Sequence, residues 1–337
     1  MKSRKIDFQR LVNTLFNKKA EGVPLIELDI HPVIREQIAG KPVVSLQDEI
    51  AFMRGLGYDF VKVQPKISLE LNRKAAAGSV APDRSWSSEH NGIITSFVEF
   101  EAYPWPSPSD ISYQRLESAR QLIPDDMGVI GQYGDIYTTI WEMMGFENFS
   151  MAIYTEPELV EALFEKVGTL IYSMFENMSQ MEWVGLLWYS DDIAYSSGPT
   201  INPDFYRQWL FPWLKKIGNL AKARQIPFIY HSDGVLYDLI PDILDCGVTA
   251  LHPLEPLSME IAELKARHGK ELCLCGGVDV DQLSRANPDD IQRLTRQILE
   301  IATVNGAYAA GSSNSIPEYV KAENYLAMIK TVMDFEY

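Results

Sequence analysis

Short apolar runs alternate along this chain with stretches whose apolar positions recur every three to four residues. The first pattern suits strands buried on both faces and the second suits helices lying against them. Their alternation is the mark of βα units in a parallel sheet. Eight apolar runs stand out, at 23–30, 60–63, 127–133, 183–189, 227–231, 248–252, 272–276 and 307–311. Helix signals fall between them. Ser45 with Glu49 nearby opens one helix, 156–181 reads as one long amphipathic helix, and Asn287-Pro288 places an N-cap and a proline at the start of another over 288–302.

Eight strands with intervening helices close most naturally into a (β/α)8 TIM barrel, here a single α/β domain over 1–337 with N-terminal helices. A doubly wound open sheet is disfavoured, because no G-x-G-x-x-G follows the first run. A long insertion after strand two, 66–125, is polar and Pro-rich and carries Trp86, His90, Tyr103 and Trp105. Loops of that length are usually functional or structured. Neither a linker nor a repeat divides the chain.

Composition narrows the picture. With 46% hydrophobic residues over 337 positions, the core is large enough to need no disulfide or structural metal. A net charge of −16 speaks against nucleic acid and against an anionic membrane surface as partners. There is no apolar run long enough to span a membrane, and the basic, amphipathic N-terminus lacks the apolar stretch of a signal peptide. The three cysteines, Cys246, Cys273 and Cys275, form no disulfide framework, which suggests a reducing, cytoplasmic setting. Cys273 and Cys275 are expected on opposite faces of one strand.

In a barrel the C-terminal ends of the strands carry the chemistry. The polar and aromatic residues predicted there include His31, Tyr133, Trp188, Tyr189, Asp191, Asp192, His231, Asp233, Glu255, Cys275 and Asn314. Each has a plainer reading. His31 and His252 suit structural roles, and Glu255 sits in a Pro-Leu-Glu-Pro turn. Cys275 suits a small buried apolar residue. Asp191 and Asp192 adjoin, so they cannot face one point together, and one of them can cap a helix. Trp188 and Tyr189 end strand four, where at least one is expected to line the mouth.

Four ordered segments carry a family resemblance: SDDIAYSSGPTINPDFYRQWLFPWLKKI (190–217), IYHSDGVLYDLIPDILDCGVTALHPLEP (229–256), LCGGVDVDQL (274–283) and GSSNSIPEYVKAENYLAMI (311–329). Together they resemble the uroporphyrinogen-decarboxylase-like superfamily, best over 184–330. The Arg-rich N-terminal motif by which true decarboxylases of this kind hold porphyrinogen carboxylates has no counterpart, since the first strand reads LIELDIHP. The resemblance therefore points to the corrinoid-dependent methyltransferase branch, an O-demethylase acting on a small methoxylated, aromatic methyl donor. The acceptor it implies is Co(I) of a separate corrinoid protein. Zinc-dependent members carry His-x-Cys on strand five and a cysteine after strand eight. Here those positions read His231-Ser232-Asp233 and Ser312-Ser313.

A replacement zinc set of His231, Glu255 and Cys275, at the ends of three consecutive strands, is expected instead. His231, Glu255, Asp191 and Asp192 are the catalytic candidates. His31, Tyr133, Trp188, Tyr189, Asp233 and Asn314 are the candidates for substrate contact. A homodimer is compatible with this reading. The alternatives are a decarboxylase on a small carboxylated substrate, with Asp191 or Asp192 stabilising a cationic intermediate, and a non-catalytic corrinoid- or ligand-binding barrel.

Overall fold

A computed structural model of the chain describes residues 4–69, 73–75, 85–87, 92–304 and 307–336, the two short pieces 73–75 and 85–87 by backbone alone. His90 and the side chain of Trp86, both singled out in the insertion, lie outside the described residues. The architecture is α/β, built on a curled parallel sheet of seven strands. In chain order these are β1 (Phe60–Val63), β2 (Gly128–Gly134), β3 (Val184–Ser190), β4 (Phe228–His231), β5 (Ala250–Leu254), β6 (Cys273–Gly276) and β7 (Tyr308–Ala309). Their spatial order is the chain order, every pairing is parallel, and helices supply the crossovers. Seven of the eight runs read from sequence are thus strands, with ends shifted by no more than two residues.

The first run differs from expectation. Among the described residues, 23–30 is attached beside β7 only through single parallel bridges, Leu25 to Ala310 and Ile30 to Ile316. Pro24 has no N–H to give a ladder, and its carbonyl accepts from Ala310 N at 2.9 Å. The sheet nevertheless curls so that its two edges approach. The charge of Lys62 on β1 is felt by Glu27 and Asp29 of this segment. Behind it, the hydroxyls of Tyr58 and Tyr325 meet across 267 residues of sequence.

Strand period two sorts the side chains. One face of the sheet carries Lys62, Gln132, Trp188, His231 and His252 into the interior of the curl, as their mutual contacts show. The other face packs on the helices: Tyr189 lies against Phe175 of the long helix Pro157–Gln180 and stacks on Tyr230 at 5.8 Å. That helix starts on Pro157, within a residue of the reading from sequence. The helix Pro288–Ala302 has Asn287 as its N-cap, accepting from Asp290 N. Ser45 caps Leu46–Leu56 in a reciprocal capping box with Asp48, not with the neighbouring Glu49. Two further N-terminal helices are Phe8–Leu15 and Pro32–Ala39.

The insertion holds an antiparallel pairing of Arg73–Ala75 with Ser85–Ser87 and the helices Phe97–Ala102 and Gln114–Leu122. At the opposite end of the sheet from the strand termini, Arg10 is forked onto Asp59. Its Nε donates at 3.0 Å to one oxygen and an Nη to the other, while Asp7 N adds a third donor to Asp59. Both side chains are buried. Among the described residues no helix is long and apolar enough to cross a membrane.

Candidate active site

The C-terminal ends of β3, β4 and β5 build a polar centre. β4 ends on His231, whose ring is buried and stacked near that of His252, with Nδ1 to Nδ1 at 2.7 Å. One hydrogen sits between those two nitrogens, so each imidazole is held by the other. The far nitrogen, His231 Nε2, faces two carboxylates, Asp192 Oδ1 and Asp233 Oδ1, each at 3.7 Å. Asp233 is brought back over the mouth by a tight turn in which Gly234 has φ +87°. A Cβ at Gly234 would stand 2.6 Å from the Ala194 backbone, so the turn requires glycine.

Further contacts pin this turn. Asp192 accepts from Asp233 N at 2.9 Å, Asn314 Nδ2 donates to Asp233 Oδ2 at 2.8 Å, and Glu255 Oε2 accepts from Gly234 N at 2.7 Å. Burial, with Asp192 and Glu255 beside it, pushes the Asp233 carboxyl up to about 8, Asn314 opposing. Burial also holds His231 below its ordinary value and His252 well below it, so both rings favour the neutral form at neutral pH.

Among the described residues, Asp192, His231 and Asp233 are the group of three whose donor atoms all lie within 4.8 Å of one another. Asp233 Oδ1 is buried without a hydrogen-bond partner. Ligand atoms about 2.0–2.2 Å from a tetrahedral zinc stand about 3.3–3.6 Å apart, and the two His231–carboxylate distances of 3.7 Å are close to that. Two carboxylate oxygens and one imidazole nitrogen, with space on the open side of half-exposed Asp192, fit a catalytic divalent-metal site with three protein ligands.

The uroporphyrinogen decarboxylase (URO-D) family profile matches residues 48–335, most of the chain. The chain belongs to the uroporphyrinogen decarboxylase family. A methyltransferase from Methanosarcina mazei is similar in fold, with a TM-score of 0.74 at 15% identity over 96% of this chain and 97% of that one. A B12-independent methionine synthase from Shewanella sp. W3-18-1 is more distant, with a TM-score of 0.48 at 11% identity over 94% and 96% of the two chains. No curated protein sequence matches.

In this uroporphyrinogen decarboxylase family member the expected ligand set of His231, Glu255 and Cys275 does not converge; the triad of Asp192, His231 and Asp233 stands in its place. Glu255 turns to the 232–234 loop and to Ser258 Oγ at 3.1 Å, bracing the loop that carries Asp233. Cys275 is fully buried one residue short of the strand end, and its thiol lies beside that of Cys273, which with burial drives it well above its ordinary value. The two cysteines share a face, contrary to expectation, because residues two apart in a strand point the same way.

Asp191 is turned toward the helix Ile136–Met144. It accepts from Tyr137 N at 2.7 Å, Thr138 N at 3.0 Å, Thr138 Oγ1 at 2.9 Å and the Tyr189 hydroxyl at 2.7 Å, closing the helix N-terminus from the neighbouring strand. Trp188 faces the interior, its ring 4.9 Å from that of His252. Tyr189 and Tyr133 sit at alternate positions, on the helix side of the sheet. His31 caps the helix Pro32–Ala39, its Nδ1 accepting from Val33 N at 3.3 Å.

Two interior charges escaped the reading of strand ends, Glu27 and Lys62. Their signal was available: Lys62 is the one charged residue in the run 60–63, and Glu27 sits in the middle of the run 23–30, between Ile26 and Leu28. Glu27 is buried and accepts from Ser312 Oγ at 2.5 Å and Ser312 N at 3.3 Å, and burial pushes its carboxyl to about 8. Its folded value lies above its unfolded one. The native state therefore holds the proton more tightly, and the stability this confers is lost as pH rises from about 4.5 to about 8. Glu27→Gln should flatten the wild-type decline. Urea midpoints compared at about pH 5 and about pH 8 check it, and a slope as steep as the wild type's would count against it.

Proposed function

We propose that this protein is a methyltransferase of the uroporphyrinogen decarboxylase family, acting as one (β/α)8 domain over 1–337 in the cytoplasm, with 23–30 as the eighth stave. It moves the methyl group of a small methoxylated aromatic to Co(I) of a separate corrinoid protein docked over the strand ends. The observation that carries the reading is the convergence of Asp192, His231 and Asp233 around one point, with Asp233 Oδ1 buried and unpartnered. The fold shared with a methyltransferase supports it, and so does the lack of an arginine cluster on the first strand.

Asp192, His231 and Asp233 would hold zinc, which supplies a Lewis acid for the ether oxygen of the leaving phenolate. His252 fixes the His231 ring through its Nδ1, leaving Nε2 directed at that point. Glu255 and Asn314 hold the Asp233 loop in place. Trp188 gives the interior an aromatic wall beside the two imidazoles.

Protein incubated with zinc and freed of excess by gel filtration should retain about one zinc per chain. Methyl transfer from a methoxybenzene derivative to Co(I) cobalamin should follow zinc content and fall with a chelator. Full activity in metal-free protein would sink the Lewis-acid role. Release of carbon dioxide from a carboxylated substrate without methyl transfer would identify a decarboxylase instead.

A further inference from the structure

Arg35 and Lys62 both lie near the segment that follows the first run, and their surroundings differ. Arg35 is satisfied by carboxylates, Asp29 at 2.6 Å and Glu49 at 3.2 Å, and also donates to Ile30 O. Lys62 is half-buried on the inner face of β1, and its nitrogen has a neutral partner, Gln132 Oε1, at 3.5 Å. Among the described residues no carboxylate forms an ion pair with it. Asp29 and Glu49, whose charges it feels most, are held by Arg35, and Glu27, which acts on it less, is engaged by Ser312 and favours its protonated form near neutrality. Burial pulls the Lys62 ammonium below its ordinary value, and its charge is felt by both His231 and His252, so it faces the same interior as the metal-competent triad.

What surrounds Lys62 is uncharged and able to hydrogen-bond. Gln64 Nε2 donates to Gln132 Oε1, and Gln132 Nε2 donates to Ser190 Oγ at 3.0 Å. A half-buried cation whose neighbouring carboxylates are taken up by other partners is costly unless a ligand supplies a direct one. We infer that Lys62, framed by Gln64 and Gln132, is the specificity residue that binds a carboxylate on the substrate, across the interior from Asp192, His231 and Asp233. A monoanion is the match. Asp29 and Asp192, exposed at the strand ends, repel a doubly charged phosphate more than a monoanion. The inference deepens the methyltransferase reading by naming the far end of its substrate as a carboxylate, so that a methoxybenzoate suits the site better than a neutral methoxyarene.

The test is a binding measurement that needs no turnover. Isothermal titration of the full chain with 3-methoxybenzoate and with its neutral isostere 3-methoxybenzamide should show the acid bound at least about tenfold more tightly, as expected for a charge-assisted contact. Lys62→Met and Lys62→Gln should erase that preference, Lys62→Arg should keep most of it, and melting curves should show all three folded. Equal affinities in the wild type, no binding of either compound, or a preference that survives Lys62→Met would overturn the inference. Selective binding without methyl transfer to Co(I) cobalamin would refute the proposed function and leave the role of Lys62 standing. Methyl transfer that ignores the carboxylate would do the reverse.

Discussion

Replacing His231 by alanine is expected to remove zinc from the protein and lower turnover by roughly 10²–10⁴-fold, since a bound Lewis acid supplies several kcal/mol of transition-state stabilisation. Without the imidazole, Asp192 and Asp233 remain as two carboxylates with no nitrogen between them, and one of them already favours its neutral form. The same substitution leaves His252 Nδ1 buried without its partner, beside an Nε2 that has none. A loss of about 1–3 kcal/mol in stability should accompany the loss of function. His231→Gln separates the effects. Its amide can still reach His252, so the unfolding midpoint should recover while zinc content and turnover stay low. Elemental analysis and denaturant unfolding on the two variants measure both quantities, and a fully active His231→Ala protein would remove this centre from the mechanism.

Asp59→Ala should behave in the opposite way. Asp59 is fully buried and takes the fork of Arg10 together with Asp7 N, far from the strand ends that hold the site. Removing the carboxylate strands a guanidinium in the interior, which costs about 3–5 kcal/mol, much more than the pair itself contributes. The urea midpoint should fall steeply while zinc affinity and the KM of the folded fraction stay at wild-type values. A midpoint within experimental error of the wild type would show that Arg10 finds water or another acceptor. Double replacement by Arg10→Met and Asp59→Leu should recover much of the lost stability, since it leaves no orphaned charge.

The sheet was legible because a parallel strand is buried on both faces and so reads as a short unbroken apolar run, from Phe60–Val63 through Cys273–Gly276. The first run was the exception. Pro24, Glu27 and Asp29 interrupt it, and its backbone follows β7 through single bridges where a full ladder was expected. His231, Asp192 and Asp233 could be named from sequence as polar residues at strand ends, but their grouping could not. It depends on the turn at Gly234, which folds Asp233 back onto His231, and on Glu255 reaching that turn and not the mouth. Period two decides that Trp188 and Tyr189 face opposite sides, yet it does not say which side is the interior. That choice is made by packing, with Tyr189 drawn to Phe175, Tyr230 and Asp191.

The four donors that close on Asp191 have a consequence for its neighbour. Three of them fasten the peptide just before Asp192 to the start of the helix Ile136–Met144, and Asp191 N is itself tied to His231 O at 2.9 Å. Capture of an ion or a substrate then asks little more of Asp192 than rotation about its own side-chain bonds, so the entropy lost on binding is small. If the proposed metal site holds, residue 192 is the position at which preference for one metal over another would be retuned. Exchanging its carboxylate for an imidazole, an amide or a thiol alters the ligand while the backbone that presents it stays where it is.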